Sequence, residues 1–130
     1  MTPFFSFTKL VVADLEKMAA FYREAYGLHT VQRVQERIGD ERIEELMLST
    51  DPTASFGTFV LLKFLDRAVP PSGEVILGFT TDDLPALLER VQAAGGGIHA
   101  QPRDMPELSL RVAFATDPEG HLAELVQLLG

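Results

Sequence analysis

Cysteine is absent from this chain, and so is tryptophan. Without cysteine there are no disulfides, no thiolate metal ligands and no sulfur nucleophile. That suits a reducing compartment, and we expect a cytoplasmic protein. No apolar run approaches the roughly 20 residues that a membrane helix needs, so no membrane partner is expected. The first residues, Met1 to Val12, are apolar, but they lack a basic n-region and a small-residue cleavage site, and Asp14 interrupts them early. They read as a strand, not as a signal peptide. Positive charge is scarce: 11 Lys and Arg stand against 19 Asp and Glu, for a net charge of −8. An acidic surface repels phosphate backbones, which argues against nucleic acid as a partner.

What is present is the balance of an ordinary globular protein. The 130 residues are 46% hydrophobic and 23% charged, enough for one domain with a core of its own. The chain also repeats itself. Lys9 to Leu15 is an apolar run ending in Asp-Leu, followed by a helical stretch that stops at Gly27. Leu77 to Leu84 has the same form, and its helical stretch runs into Gly95–Gly97. Such a pattern is one unit duplicated, not a solenoid.

Each unit is physically coherent. Leu15, Met18, Tyr22, Ala25 and Tyr26 recur at helical spacing, as do Leu84, Leu87, Leu88, Val91 and Ala94. Asp14 and Asp83 are natural N-caps, and Pro85 fits a first helical turn. After each helix the period changes to two. Strands are expected at 29–35, 43–49 and 58–65, then at 98–101, 108–115 and 121–128, with loops at 51–57 and 102–106 and a tight turn at 116–120. Each half therefore reads βαβββ. Pro70 to Gly73 marks the join between modules of approximately 1–69 and 74–130, within a single domain 1–130.

Two segments carry a family resemblance. Leu10 to Tyr22 (LVVADLEKMAAFY) and Thr116 to Leu125 (TDPEGHLAEL) resemble the opening and the closing hairpin of the glyoxalase/bleomycin resistance/extradiol dioxygenase proteins, the vicinal oxygen chelate superfamily. The resemblance implies an α+β fold in which two βαβββ modules form a cup-shaped, curved mixed sheet with helices on the convex face. It also implies a ligand cavity on the concave face and a homodimer. Many members hold a divalent metal with four inward side chains, two per module, and the metal polarises a substrate with two adjacent oxygens.

Carried over position by position, the resemblance leaves that metal site incomplete. The first ligand position lies seven residues before the Asp of Asp-Leu, which gives Phe7, and its match in the second module is Ile76. Glu124 supplies the carboxylate of the last strand. Its counterpart in the first module falls near Leu61 or Leu62. Phenylalanine and aliphatic side chains offer a metal no lone pair. No cofactor is therefore expected, and a divalent metal only through an atypical site. The histidines do not compensate. His29 and His99 follow the two helices without convergence. His121 lies three residues from Glu124, on the opposite side of a strand, and belongs to the turn after Gly120.

Strand alternation nominates the cavity lining. Glu124 facing inward brings Leu122 and Val126 with it. Phe7 brings Phe5, Lys9 and Val11. Glu45 and Met47 turn inward if Leu46 and Leu48 pack on the helix, and Phe59, Leu61 and Lys63 do so if Val60, Leu62 and Phe64 are core. Ile76, Gly78 and Thr80 line the second module. The candidate ligand-binding set is thus Phe7, Lys9, Glu45, Met47, Phe59, Leu61, Lys63, Ile76 and Glu124, apolar walls with a few charges. Buried charges must pair, so at least one Lys–Glu pair is expected. A slip of one residue would reverse any strand's assignment. The competing reading of each residue is plainer: core aromatics, snorkelling lysines, a solvated acidic edge around Glu45.

Three functions remain open at this point. One is a metal-independent protein that binds a small apolar or aromatic molecule. Another is a lyase or dioxygenase with an atypical metal site, or a metal-free enzyme with Glu124 or Glu45 as its base. The third is a structural or interaction module whose cup is closed. Fold alone does not decide among them.

Overall fold

The computed structural model describes residues 2–55 and 57–130. Met1, and Phe56 in the expected 51–57 loop, lie outside the described residues. The elements run β1 (Thr8–Val11), α1 (Leu15–Tyr26), β2 (His29–Ile38), β3 (Glu41–Ser49), β4 (Phe59–Phe64), β5 (Ile76–Thr81), α2 (Leu84–Ala93), β6 (Gly97–Met105), β7 (Leu110–Thr116) and β8 (Leu122–Leu128), with a 3-10 turn at Pro106–Leu108. The fold is α+β: two βαβββ modules, each with one mixed four-stranded sheet. Strand order is β1-β4-β3-β2 in the first and β5-β8-β7-β6 in the second. In each, the opening strand runs parallel to the closing one, and the other neighbours are antiparallel. The chain forms two compact units, residues 1–23 with 27–70 and residues 24–26 with 71–130.

Local chemistry explains the helices. The Asp14 side chain accepts from the Lys17 N–H, and Gly27 closes α1 at φ 72° in the left-handed region, where glycine carries no Cβ penalty. Asp83 caps α2 through the Ala86 N–H, with Pro85 in the first turn. The second helix ends one step earlier than its glycines suggest: Ala94 is the C-cap, and Gly97 already opens β6.

One sheet face of each module packs under its helix. In the first, Leu10, Val12, Leu46, Leu48 and Leu61 are buried together with Leu15, Met18 and Tyr22 of α1. Tyr22 meets Phe59 edge to face, with ring centroids 5.0 Å apart. Gly57 fixes the approach to β4, because a Cβ there would lie 2.4 Å from the Leu48 carbonyl oxygen. In the second module, Ala113, Ala115, Ala123 and Leu125 are buried with Leu84, Leu87, Leu88 and Val91 of α2.

Two strand expectations change. β6 continues through Pro102 to Met105, where the sequence reads as a loop. It is an edge strand, so the missing Pro102 N–H breaks no ladder between two neighbours, and register shifts beside Ala100 absorb the ring. β1 starts only at Thr8, so Phe5 and Phe7 precede it and stand 88% and 40% exposed.

Candidate functional site

Pairing register decides which side chains share a face, since residues opposite each other in a ladder point the same way. In the first module Lys9 is opposite Val60, which is opposite Met47, while Glu45 is opposite Leu62. The face away from α1 therefore carries Lys9, Val11, Glu45, Met47, Val60 and Leu62. The expected lining by Phe59, Leu61 and Lys63 is corrected. These three belong to the helix side, with Leu61 opposite Leu46 and Phe59 against Tyr22. The reason is that β4 lies between β1 and β3 and is apolar on both sides. A central strand reads as a continuous hydrophobic run and does not declare its parity.

The other expected residues of this module are brought together. Lys9 reaches diagonally across β4, and its Nζ lies 2.6 Å from Glu45 Oε2. The Glu45 side chain is 5% exposed and that of Lys9 35%. The contact is an ion pair off the angle of a well-formed hydrogen bond, and Oε2 has no other donor among the described residues. Phe7 flanks the ammonium at 5.7 Å from its ring centroid. The expected Lys–Glu pair is therefore Lys9–Glu45.

In the second module Gly78 is opposite Glu124, Ile76 opposite Leu122 and Thr80 opposite Val126. These side chains face away from α2, while Ala123 and Leu125 face it, as alternation predicts. Across the next ladder Phe114 is opposite Glu124 and Val112 opposite Val126. An open depression of about 470 Å³ lies along β5 here, lined by Ile76, Leu77, Gly78, Phe79 and Thr80 with Glu124 and Val126 of β8. Gly78 leaves its floor bare, since a Cβ at that position would touch nothing within 4 Å. Among the described residues Glu124 makes no hydrogen bond or ion pair.

The register also corrects the fourth metal position. Lys9 and Gly78 each stand five residues before their helix-capping aspartate. Glu124 is opposite Gly78, so its counterpart is the residue opposite Lys9, which is Val60 rather than Leu61 or Leu62. The four positions then hold Phe7, Val60, Ile76 and Glu124, one donor in all. A metal of the kind the fold family uses needs three or more protein ligands, and these residues do not fit it. Among the described residues no group of three His, Asp or Glu side chains is placed to hold a metal ion.

The remaining polar motif has a structural task. Asp117 Oδ1 accepts from the N–H groups of Glu119 and His121, and Asp117 Oδ2 lies 2.7 Å from His121 Nδ1. Asp117 and His121 are both buried. The Asp-Pro-Glu-Gly-His stretch thus locks the β7–β8 turn. Nearby, Tyr26 stacks on Phe79 at 3.9 Å. Its hydroxyl is held well above the ordinary tyrosine range, first by burial and then by the Asp117 charge.

Comparison with known proteins places this geometry. Over 121 residues the chain is 29% identical to lactoylglutathione lyase of Arabidopsis thaliana, covering 89% of this chain and 41% of that protein. The chain thus spans about two-fifths of the length of the first plant relatives it matches. It is 26% identical over 134 residues to a probable lactoylglutathione lyase of Vibrio parahaemolyticus, covering 92% of this chain and 87% of that one. A crystal structure of a glyoxalase family protein from Bacillus cereus superposes with a TM-score of 0.80 at 21% identity, covering 96% and 93% of the two chains, which supports the fold. No helix among the described residues is long and apolar enough to cross a membrane. Residues 5–125 match the family model, and the chain belongs to the Glyoxalase/Bleomycin resistance protein/Dioxygenase superfamily.

Proposed function

We propose that this protein binds a small, largely apolar molecule without the metal that many members of its superfamily use. The observation that carries the reading is the second module's face away from α2. It combines an open depression of about 470 Å³, within the range of small-molecule sites, with a single carboxylate, Glu124. Apolar groups from Ile76 and Val126 supply contact area, and Thr80 and Glu124 supply orientation. Phe7, Val60 and Ile76 replace donors with hydrocarbon, which favours partition of apolar groups over ion coordination. Phe7, Lys9, Glu45 and Met47 lie on the first module, and we propose them as a structural ion pair with aromatic and thioether neighbours.

The test is a thermal-shift screen of small apolar molecules on purified protein of known metal content. A ligand that binds only the native state must raise its melting temperature. Gly78→Phe fills the depression without a backbone clash and is expected to abolish every such shift while the protein stays folded. Shifts unchanged in Gly78→Phe, or a stoichiometric divalent metal in the purified protein, would overturn the reading.

A second reading rests on the relatives, whose names are those of lyases. Here Glu124, with no cation beside it among the described residues, acts as a general base toward a proton next to a carbonyl. Turnover that disappears in Glu124→Gln, with binding retained, would favour this reading over simple sequestration.

A further inference from the structure

We propose that the molecule taken up on the second module is a cation, specifically an amine with an apolar body. The inference rests on the binding reading above and names the ligand's charge. It comes from comparing the two halves of the duplication. Both modules place a carboxylate that is not fully exposed on the face away from the helix, the buried Glu45 in the first and the half-buried Glu124 in the second. In the first, the chain supplies the counter-charge: Lys9 extends from the opening strand over β4 to Glu45 at 2.6 Å. In the second, the position that matches Lys9 is Gly78, directly opposite Glu124, with nothing within 4 Å of where its Cβ would be. The path that a lysine stem occupies in one module is therefore open space in the other.

Chemistry narrows what can enter that space. Glu124 is half-buried between Ile76, Val126 and Phe114 and has no partner among the described residues. A carboxylate in such surroundings gains most from a charge-assisted donor. An anion meets Glu124 on a chain of net charge −8 and is repelled. A divalent ion finds only one carboxylate and one hydroxyl, Thr80, among otherwise apolar residues, short of the three or more protein ligands it needs. An ammonium on a short apolar stem needs only one carboxylate and buries its stem on Ile76 and Val126, as Lys9 does across Val60.

The test uses three isosteric probes on the full chain at pH 7, benzylamine, benzyl alcohol and benzoate, followed by amide chemical shifts. Benzylamine is expected to bind at least tenfold more tightly than the other two and to perturb Ile76, Gly78, Thr80 and Val126. Glu124→Gln should reduce benzylamine to the level of benzyl alcohol. Gly78→Lys should block it, because a tethered ammonium then occupies the carboxylate. If benzylamine and benzyl alcohol bind this face equally, and Glu124→Gln changes neither, the charge assignment is wrong and the binding reading stands. If none of the probes perturbs these residues, both fail. Saturable Zn²⁺ binding that is lost in Glu124→Gln would overturn the amine in favour of a metal.

Discussion

The two modules share one topology and one helix-capping chemistry, yet they handle charge on their sheet faces in different ways. The first keeps its carboxylate on β3, an inner strand away from the opening strand, and brings Lys9 across the sheet to neutralise it. The second keeps its carboxylate on β8, beside the opening strand, and leaves a glycine opposite it. One carboxylate has its counter-charge within its own module, and the other has none among the described residues. In a duplicated fold this difference separates scaffold from site better than the identity of any single residue does.

The largest expected effect breaks the self-sufficient half. In Lys9→Met, Glu45 stays buried with its counter-charge removed. Stripping one partner from a fully buried pair costs roughly 3–5 kcal/mol. Lys9 is one-third exposed, so water moderates the loss, and we expect about 2 kcal/mol by urea unfolding. The double variant Lys9→Met, Glu45→Leu should recover most of it, since an apolar pair of similar volume has no charge to desolvate. If the single variant is as stable as the parent, the two modules do not differ in the way described.

That contrast is only partly legible in the sequence. The duplication, both helix caps and the Lys–Glu pair follow from residue spacing and alternation. The parity of β1 and β8 follows because only one side of each carries a charged residue, Lys9 and Glu124, whereas β3 is charged on both sides, with Glu44 as well as Glu45, and its parity follows from Leu46 and Leu48. β4 has no such marker until Lys63 at its end, so alternation alone puts Phe59, Leu61 and Lys63 on the wrong face. Only the pairing with β1 and β3 settles it. The extent of β6 is hidden by Pro102, whose effect depends on whether the strand has a neighbour on both sides. The correspondence of Gly78 with Lys9 is visible in the repeat itself, because both stand five residues before the capping aspartates.

A smaller effect tests the second unit's packing. Tyr26, the last residue of α1, stacks on Phe79, and its folded pKa lies above the ordinary value of 10.0 because of burial and the Asp117 charge. The unfolded chain therefore loses this proton first as pH rises. The stability from keeping Tyr26 neutral is complete below about pH 10 and falls as pH climbs toward the folded pKa, by at most about 1.4 kcal/mol per pH unit. Melting temperatures should thus decline more steeply above pH 10 in the parent than in Tyr26→Phe. Parallel declines would mean that the hydroxyl is solvated in the folded protein.

The smallest effect sharpens the comparison most. Gly78→Lys gives the second module the lysine that its twin already has. Replacing a strand glycine also removes backbone freedom from the unfolded chain, a gain of about 0.4–1 kcal/mol that has nothing to do with charge. Gly78→Met carries that gain without the ammonium, so the difference between Lys and Met isolates the new pair. We expect about 0.5 kcal/mol in favour of Lys, the usual scale for a partly exposed ion pair, measured by urea unfolding in low salt. It should shrink in about 1 M salt, where screening acts within a few ångströms, and vanish in the Glu124→Gln background. An advantage that survives Glu124→Gln would mean that the lysine stem packs on Ile76 and Val126 without regard to charge. The open space opposite Glu124 would then matter for its volume alone, and a neutral ligand would fill it as well as an amine.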